Sequence, residues 1–240
     1  MAETIQRRSE ALQAAVLPAP STVDEPSAAA PEALTAFRKR AVDVFVAVAL
    51  LVVFSPIWLL CSLLIKLTSR GPVIFRQERM GVNGRPFTLF KFRTMRIGAS
   101  DDVHRAFVTD YILGALPLQD SGSYKLRRDA RITVIGRILR KLSLDEAPQL
   151  INVLRGEMSI VGPRPPIRYE VERYDAHQLR RLAVRPGITG LWQVSGRNRL
   201  SFAEMCELDL EYIDTWSLRG DLAIMLRTPW VMLVDGGGAA

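Results

Sequence analysis

A long apolar segment flanked by basic residues is the strongest pattern in the sequence. The basic triplet 38–40 precedes it, residues 44–65 are almost entirely apolar, and Lys66 and Arg70 follow. At a rise of about 1.5 Å per residue, a helix over 44–65 would extend roughly 33 Å, which is enough to cross the hydrocarbon core of a bilayer. The pattern therefore predicts a membrane-embedded helical segment over 37–70.

Ser55 and Pro56 interrupt this segment near its middle. Proline has no N–H to donate to the carbonyl of residue 52, and its ring crowds that carbonyl, so we expect the helix to bend here. A helical hairpin that enters and leaves one leaflet would keep both basic flanks on the cytoplasmic side, where lysine and arginine are favoured. A straight crossing would keep only one flank there. Because proline also occurs in ordinary spans, these residues alone leave both topologies open.

Beyond Gly71 the pattern changes to short alternating stretches and amphipathic helices, as in an α/β domain. Residues 72–95 place two alternating stretches around the turn sequence Gly-Val-Asn-Gly and predict a β-hairpin. Thr133 is placed to cap a helix that ends near Leu142. The other predicted elements are a helix near 101–113, a helix over 143–154, a strand within 158–166, a helix over 167–183, a strand over 191–194, a helix over 201–215 begun by a capping box of Ser201 and Glu204, and an apolar helix over 218–234.

Composition separates the N-terminal segment from the rest of the chain. Residues 1–36 are rich in Ala, Pro, Ser and Thr and are net acidic, which predicts a disordered tail. The 240-residue chain nevertheless carries a net charge of +7, so its body is basic and suits an anionic partner such as lipid head groups, nucleic acid or a phosphorylated substrate. The two cysteines form no pair motif and the two histidines are isolated, which argues against a disulfide framework or a zinc site.

The adjacent carboxylates Asp145 and Glu146 fall in the first turn of the helix predicted from Ser143. A purely structural explanation is a capping box between Ser143 and Glu146. A chemical explanation is that an aspartate kept ionised by the helix dipole is a competent nucleophile toward phosphorus. The neighbouring glutamate could then bind Mg²⁺ together with substrate phosphate. The two residues by themselves leave both explanations open.

Several basic side chains are placed where they could bind phosphate. Arg140 shortly precedes the carboxylate pair, Arg164 is held in a Gly-Pro-Arg-Pro loop, and Arg197 follows a predicted short strand. Lys91 and Arg93 alternate with phenylalanines, so both face one side of a predicted strand. Arginine forks match phosphate oxygens, and a stiff loop lowers the entropic cost of placing such a donor.

Five motifs together resemble the bacterial sugar transferase family, the monotopic polyprenyl-phosphate phosphoglycosyl transferases, and in particular its short exopolysaccharide-type members. The resemblance extends over about residues 37–235 and follows the order of the family's motifs. The motifs are Ser-Pro at 55–56, Lys-Phe-Arg-Thr-Met at 91–95, Lys-Leu-Ser-Leu-Asp-Glu-Ala-Pro-Gln-Leu at 141–150, Met-Ser-Ile-Val-Gly-Pro-Arg-Pro at 158–165 and Arg-Pro-Gly-Ile-Thr-Gly-Leu-Trp-Gln-Val-Ser-Gly-Arg-Asn at 185–198.

The resemblance implies a helix-rich α/β enzyme that is monotopic in the bacterial inner (cytoplasmic) membrane. It implies a re-entrant helix-break-helix over 37–70 and a compact catalytic domain over 71–240 that faces the cytoplasm. The implied reaction moves a sugar-1-phosphate, taken as a hexose-1-phosphate, from a UDP-sugar to undecaprenyl phosphate with release of UMP. This step would initiate exopolysaccharide or other surface-glycan assembly. The implied partners are the UDP-sugar, undecaprenyl phosphate and membrane lipid, without nucleic acid.

The family's site residues carry over to matching positions. Asp145 resembles the nucleophile that forms an aspartyl-phosphosugar intermediate, and Glu146 resembles the acid that binds Mg²⁺, with Asp145 as a second metal ligand. Ser55 and Pro56 match the bend in the membrane segment. The residues matched to phosphate binding or to organisation of the site are Lys91, Arg93, Arg140, Arg164 and Arg197.

Two other functions remain open at this stage. One is a membrane-bound glycosyltransferase that transfers only the sugar, which would release UDP instead of UMP. The other is a membrane-tethered basic module that binds nucleic acid without catalysis, although the sequence has no aromatic-and-basic RNA-binding signature and no evident recognition helix. The sequence indicates neither the sugar nor the oligomeric state.

Overall fold

Two helices separated by a sharp bend form the apolar segment. Helix α1 (Ala29–Val53) and helix α2 (Ser55–Thr68) are bent by 64° relative to each other. Pro56 has no N–H for the carbonyl of Val52, and the hydroxyl of Ser55 donates to that carbonyl at 2.8 Å instead. The predicted bend is therefore confirmed. No single helix among the described residues is long and apolar enough to cross a bilayer, whereas the bent pair together meets the length and composition of a broken span or a re-entrant loop.

The computed structural model describes residues 29–96, 105, 109–112, 131–196 and 200–234. Helix α1 begins at Ala29, inside the segment 1–36 that the sequence predicts to be a disordered tail; residues 1–28 lie outside the described residues. An alanine-rich stretch with Pro31 in its first turn is compatible with such a helix start. Of the helix predicted near 101–113, residues 105 and 109–112 are helical and the others lie outside the described residues.

The β-hairpin predicted over 72–95 is confirmed. Strands β1 (Ile74–Met80) and β2 (Pro86–Phe92) pair antiparallel, with Ile74 opposite Phe92 and Met80 opposite Pro86. A short 3₁₀ turn over Val82–Gly84 connects them, and Asn83 adopts the left-handed backbone conformation (φ 53°) that such a turn requires. The hairpin carries the Lys-Phe-Arg sequence at its end, so its register fixes where those side chains project.

Helix α3 (Val134–Lys141) begins at the predicted cap, since the Gly136 N–H donates to the Thr133 hydroxyl at 2.9 Å. The helix approaches the end of the hairpin so closely that a Cβ on Gly136 would lie 2.1 Å from the carbonyl oxygen of Thr94. Its Leu139 is buried with Cys61 and Ile65 of α2 and Phe92 of β2. This cluster places α3 alongside the second half of the bent helix pair.

A two-stranded parallel sheet forms the second β-element. Strand β3 (Ser159–Val161) pairs with β4 (Gly187–Thr189), with Ser159 opposite Gly187. The backbones approach so closely around this pairing that a Cβ on Gly187 would lie 2.1 Å from the N of Gly162. The strand predicted over 191–194 is wrong, because the residues just before it form β4 and the chain then turns into helix α7 (Leu191–Ser195).

The continuous helix predicted over 167–183 is also wrong. This segment forms two single-turn helices, α5 (Arg168–Val171) and α6 (Ala176–Leu179), followed by a 3₁₀ turn over Arg180–Ala183. The side chain of Asp175 accepts the Gln178 N–H at 2.8 Å and so starts a new helix in the middle of the segment.

The C-terminal helices agree with the sequence prediction. Helix α8 (Phe202–Asp214) starts at the predicted capping box of Ser201 and Glu204, and helix α9 (Leu218–Val234) contains Pro229. The main apolar core joins both helices to helix α1, the hairpin and the parallel sheet. Its fully buried members are Ala47, Leu89, Leu150, Val153, Met158, Ile160, Val161, Tyr212 and Ile224.

Polar contacts hold the beginning of the apolar segment against the rest of the protein. Lys39 Nζ lies 2.7 Å from Asp221 Oδ2 of α9. The buried carboxylate of Asp43 accepts hydrogen bonds from the Ser159 hydroxyl and the Ile160 N–H, each at 3.0 Å. The basic triplet therefore also has a role within the fold, because its middle residue, Lys39, is paired with Asp221.

Candidate active site

The Asp145–Glu146 pair lies in a tight turn between two helices. Ser143 adopts a left-handed conformation (φ 53°) that ends α3, and Leu144–Glu146 form one 3₁₀ turn. Helix α4 (Gln149–Arg155) starts only after Pro148, which occupies its cap position and has no N–H to leave without a partner. The helix predicted to begin at Ser143 is therefore shorter, and both carboxylates precede it.

The capping box expected between Ser143 and Glu146 does not form, because the Ser143 side chain makes no cap hydrogen bond. The purely structural explanation of the carboxylate pair therefore lacks the side-chain cap on which it depends. Asp145 is only 8% exposed, so a carboxylate has been placed largely inside the protein. Burial of an ionised carboxylate costs free energy unless hydrogen bonds or opposite charges compensate for it. Buried ionisable groups of this kind are typical of functional sites.

Lys91 of β2 reaches the other carboxylate of the pair. Its Nζ lies 2.8 Å from Oε1 of Glu146, and the two side chains are 24% and 36% exposed. This ion pair connects the hairpin to the 3₁₀ turn, which lie far apart in the sequence. The structure thus brings together three of the predicted site residues: Lys91, Asp145 and Glu146.

Arg93 has a different environment from the one predicted. It is buried at 6% exposure, and its Nη2 donates to the carbonyl and the hydroxyl of Ser69 at 2.9 and 2.8 Å. Ser69 immediately follows α2, so this arginine attaches the end of the bent helix pair to the hairpin. Its Nη1 is buried without a hydrogen-bond partner among the residues that the structure describes.

Arg140 lies in the last turn of α3, and its carbonyl accepts the Ser143 N–H at 3.1 Å. Its half-buried guanidinium makes no hydrogen bond or ion pair to other side chains in the described part of the chain. Helix α3 therefore carries, in its last turn and five residues before Asp145 in the sequence, a positive charge that is available to bind an anion. Arg197, the last of the predicted phosphate-binding residues, lies outside the described residues.

Arg164 lies in the loop that follows β3, and this loop is fixed by the hairpin. Arg79 donates through Nη1 to the carbonyl of Pro165 at 2.9 Å, and the Met80 N–H donates to the carbonyl of Pro166 at 2.9 Å. No local pattern in the sequence indicates that the hairpin holds this loop. The arrangement supports the rigidity inferred for the Gly-Pro-Arg-Pro sequence.

A buried ion pair lies behind Arg164. Arg181 donates through Nε and Nη2 to Oδ2 of Asp209 at 2.9 and 2.7 Å, and both side chains are almost fully buried. Burial raises the pKa of the Asp209 carboxyl, while the positive charges of Arg181 and Arg164 act in the opposite direction. Burial also raises the pKa of the neighbouring Cys206 thiol to about 11, so this cysteine is not a reactive thiolate.

Sequence reasoning did not single out Asp209, although a signal was present. In α8 the buried positions include 202, 205, 206 and 209, so Asp209 continues the apolar stripe of the helix. A charged residue on a buried stripe predicts a buried partner. The partner, Arg181, belongs to the segment 167–183, which the sequence predicts to be a charged helix.

The carboxylate pair fits a magnesium ion in its donor chemistry. Mg²⁺ takes hard oxygen ligands and is often held by one or two carboxylates, with water and substrate phosphate completing its coordination. Asp145 and Glu146 supply two adjacent carboxylates, and the Lys91 ammonium group already occupies a cation position beside Glu146. No cluster of three or more His, Cys, Asp or Glu side chains suited to a metal occurs within the described ranges.

Comparison with known proteins gives the chain its family. The model of the family described as bacterial sugar transferase matches residues 34–235, which include the bend, the carboxylate turn and the arginine loops. The chain belongs to the bacterial sugar transferase family. Its similarity to exopolysaccharide production proteins agrees with the exopolysaccharide type that the motifs suggest.

Three relatives illustrate the range of the family. The exopolysaccharide production protein ExoY of Rhizobium meliloti is 44% identical over 200 residues, which cover 82% of this chain and 87% of ExoY. The UDP-glucose:undecaprenyl-phosphate glucose-1-phosphate transferase of Caulobacter vibrioides is 42% identical over 220 residues, or 88% of this chain and 75% of that protein. The undecaprenyl-phosphate galactose phosphotransferase of Salmonella typhimurium is 41% identical over 202 residues, or 84% of this chain and 41% of that protein.

Proposed function

We propose that this protein transfers a hexose-1-phosphate from a UDP-sugar to undecaprenyl phosphate and releases UMP. The observation that carries the proposal is the 3₁₀ turn at 144–146, which presents a largely buried aspartate next to a glutamate paired with Lys91. The names of the Caulobacter and Salmonella relatives, which act on undecaprenyl phosphate, support the acceptor. The similarity to ExoY, which is named as an exopolysaccharide production protein, supports a role in exopolysaccharide assembly.

The proposed chemistry proceeds in two displacements at the same phosphorus. A carboxylate oxygen of Asp145 attacks the phosphorus that carries the sugar, the bond from that phosphorus to the bridging oxygen breaks, and UMP leaves. The sugar phosphoryl group is then bound to Asp145 as an acyl phosphate. A phosphate oxygen of undecaprenyl phosphate attacks this phosphorus, and the carboxylate of Asp145 leaves as the lipid diphosphate sugar forms.

The positive side chains around the turn balance the charge of both displacements. Lys91 lies next to Glu146 and would bind the phosphate oxygens together with Arg140 from the end of α3, while Arg164 would bind them from the rigid loop after β3. Glu146, with Asp145 beside it, would hold Mg²⁺, which when bound neutralises charge on the diphosphate and the leaving group. Arg197 is proposed as a further phosphate ligand on the strength of its motif.

A re-entrant membrane segment suits this reaction because the acceptor phosphate lies at the head-group plane. Both ends of the bent pair would then be on the cytoplasmic face of the bacterial inner membrane, with the catalytic domain on that side. The exposed apolar side chains around the bend support membrane contact, for example Val52, Val53 and Leu59 at 67%, 68% and 72% exposure. Large apolar groups in such number on one bent segment would be costly to expose to water.

A nucleotide-release assay tests the proposed function. Purified protein in detergent or nanodiscs is incubated with undecaprenyl phosphate, Mg²⁺ and each member of a panel of UDP-sugars, and the nucleotide product is identified by chromatography. UMP release with UDP-glucose or UDP-galactose would support the proposal. UDP release would instead identify a glycosyltransferase that moves only the sugar, and no nucleotide release with salt-sensitive binding of nucleic acid would favour a non-catalytic basic module.

A further inference from the structure

We infer that Lys91 and a divalent cation bind Glu146 alternately, and that Lys91 passes to a substrate phosphate when the cation binds. This inference rests on the proposed function, since it needs a metal-dependent phosphate substrate at the carboxylate turn. Lys91 would have two partners in succession, first Glu146 and then the substrate phosphate, and the structure contains the pair with Glu146.

The ammonium group of Lys91 lies where a metal ion bound by Glu146 would lie. Lys91 Nζ lies 2.8 Å from Glu146 Oε1, and the acidic neighbour Asp145 lies in the same short turn. An ammonium group is a compact point charge, in contrast to the broad planar fork of arginine. It therefore resembles a bound cation more closely than an arginine at the same position would.

The ion pair is exposed enough to be exchanged. The side chains of Lys91 and Glu146 are 24% and 36% exposed, so water reaches both partners. Ion pairs of this kind contribute little to stability, and they break without leaving a buried charge behind. The buried Arg181–Asp209 pair at 6% and 1% exposure would not exchange in this way.

Charge then determines where Lys91 goes. A divalent cation carries twice the charge of the Lys91 ammonium group and coordinates carboxylate oxygens directly, so it competes with Lys91 for Glu146. Once Glu146 holds that cation, Lys91 faces a like charge on its former partner and moves away from it. The diphosphate of the nucleotide arrives with the cation and offers oxygens within reach of a four-carbon side chain that is anchored on a rigid strand.

The alternation predicts that one substitution raises the affinity of the protein for metal and lowers its affinity for nucleotide. In Lys91→Met, the affinity of the protein for Mn²⁺ without nucleotide should increase about tenfold, because the ammonium group of Lys91 no longer competes with the cation for Glu146. The affinity for UMP in saturating Mg²⁺ should fall about tenfold in the same variant, because a phosphate ligand has been lost. Mn²⁺ binding is measured by the loss of its free electron paramagnetic resonance signal, and UMP binding by isothermal titration calorimetry.

Two matched variants control for charge and for folding. Lys141→Met removes an equal charge from the exposed end of α3, a few residues before the turn, and should change Mn²⁺ affinity less than twofold. Lys91→Arg keeps the charge and a partner for Glu146, and should not increase Mn²⁺ affinity. Comparable thermal unfolding temperatures for all variants show that the measured affinities belong to folded protein.

The outcomes separate this inference from the proposed function. Lower or unchanged Mn²⁺ affinity in Lys91→Met would overturn the alternation, and so would an equal increase in Lys141→Met. Glu146→Gln serves as the reference for the metal site. If Glu146→Gln leaves Mn²⁺ affinity unchanged while the wild type releases UMP, the metal assignment and the alternation both fail but the transferase function stands.

Discussion

At the scale of single residues, the central feature is a carboxylate that the fold has placed inside the protein. Asp145 is largely buried in a turn whose backbone is set by the left-handed Ser143 and by Pro148. The turn exposes one carboxylate to Lys91 and withdraws the other from water. A short, stiff connection of this kind holds a nucleophile in place without using the interior of a helix.

The Arg181–Asp209 pair gives a residue-scale prediction about stability. Arg181→Met alone, or Asp209→Leu alone, should destabilise the protein by about 3–5 kcal/mol, because each leaves an unpaired buried charge. The double variant should recover much of that loss, since it leaves no charge without a partner. Chemical unfolding of the four proteins in detergent measures the effect, and equal losses in the single and double variants would contradict it.

The sequence predicted those residue contacts that depend on near neighbours. The caps at Thr133 and Ser201 were foreseen because a side chain and an N–H three residues later decide them. The environment of Arg93 was not foreseen, since its partner Ser69 lies across the fold at the end of α2. Alternation along a strand places a side chain on one face, but it does not say what lies opposite.

At the scale of elements, the break between α1 and α2 is produced by a compensating pair of residues. Pro56 removes the donor for the carbonyl of Val52, and Ser55 restores one from its side chain. The bend therefore occurs without an unsatisfied carbonyl in an apolar region, where such a group would be costly.

Ser55→Ala should weaken this element because the Val52 carbonyl loses its donor. The expected cost is about 1–3 kcal/mol, which should appear as a lower unfolding temperature in nanodiscs. Ser55→Thr retains the hydroxyl and is the matched control, so it should remain close to the wild type. The same loss in both variants would mean that the hydroxyl bond is not what stabilises the bend.

A second element-scale prediction concerns topology. Single cysteines at Arg38 and Arg70, in a background with Cys61 and Cys206 changed to alanine, should both resist a membrane-impermeant thiol reagent in intact cells and react after lysis. This result follows if the bent pair re-enters the leaflet from which it came. Labelling of either position from outside the cell would show a crossing segment and contradict the re-entrant assignment.

Whether a strand's partner is near or far along the chain explains which elements could be predicted. The hairpin was predicted because its turn and both strands are contiguous in sequence. Strand β4 and helix α7 were misassigned because the parallel partner of β4 is β3, far away along the chain, and three residues of strand carry little pattern of their own. Contacts of this kind become visible only when the fold is assembled.

At the scale of the whole molecule, apolar surface extends beyond the bent helix pair. On α3, Val134, Ile138 and Leu142 follow at four-residue spacing and are at least half exposed, while Leu139 on the other face is buried with residues of α2. Helix α3 leads directly into the carboxylate turn. If this exposed stripe contacts lipid, Asp145 lies close to the head-group plane.

A depth measurement checks this arrangement. A fluorophore on a cysteine at Ile138, in the background without Cys61 and Cys206, should be quenched by brominated lipids after reconstitution. The same fluorophore on a cysteine at His177, which is equally exposed on α6, should be quenched far less. Equal quenching at both positions would show that α3 does not face the bilayer.

The whole account depends most on covalent attachment of the sugar phosphate to Asp145. Wild-type protein is incubated briefly with UDP-sugar and Mg²⁺ but without undecaprenyl phosphate, and its intact mass is then measured. The account predicts a mass increase of one hexose phosphate, accompanied by UMP, which disappears on addition of the lipid acceptor and is absent in Asp145→Asn. Turnover without any adduct in the wild type, or an adduct that persists in Asp145→Asn, would contradict it.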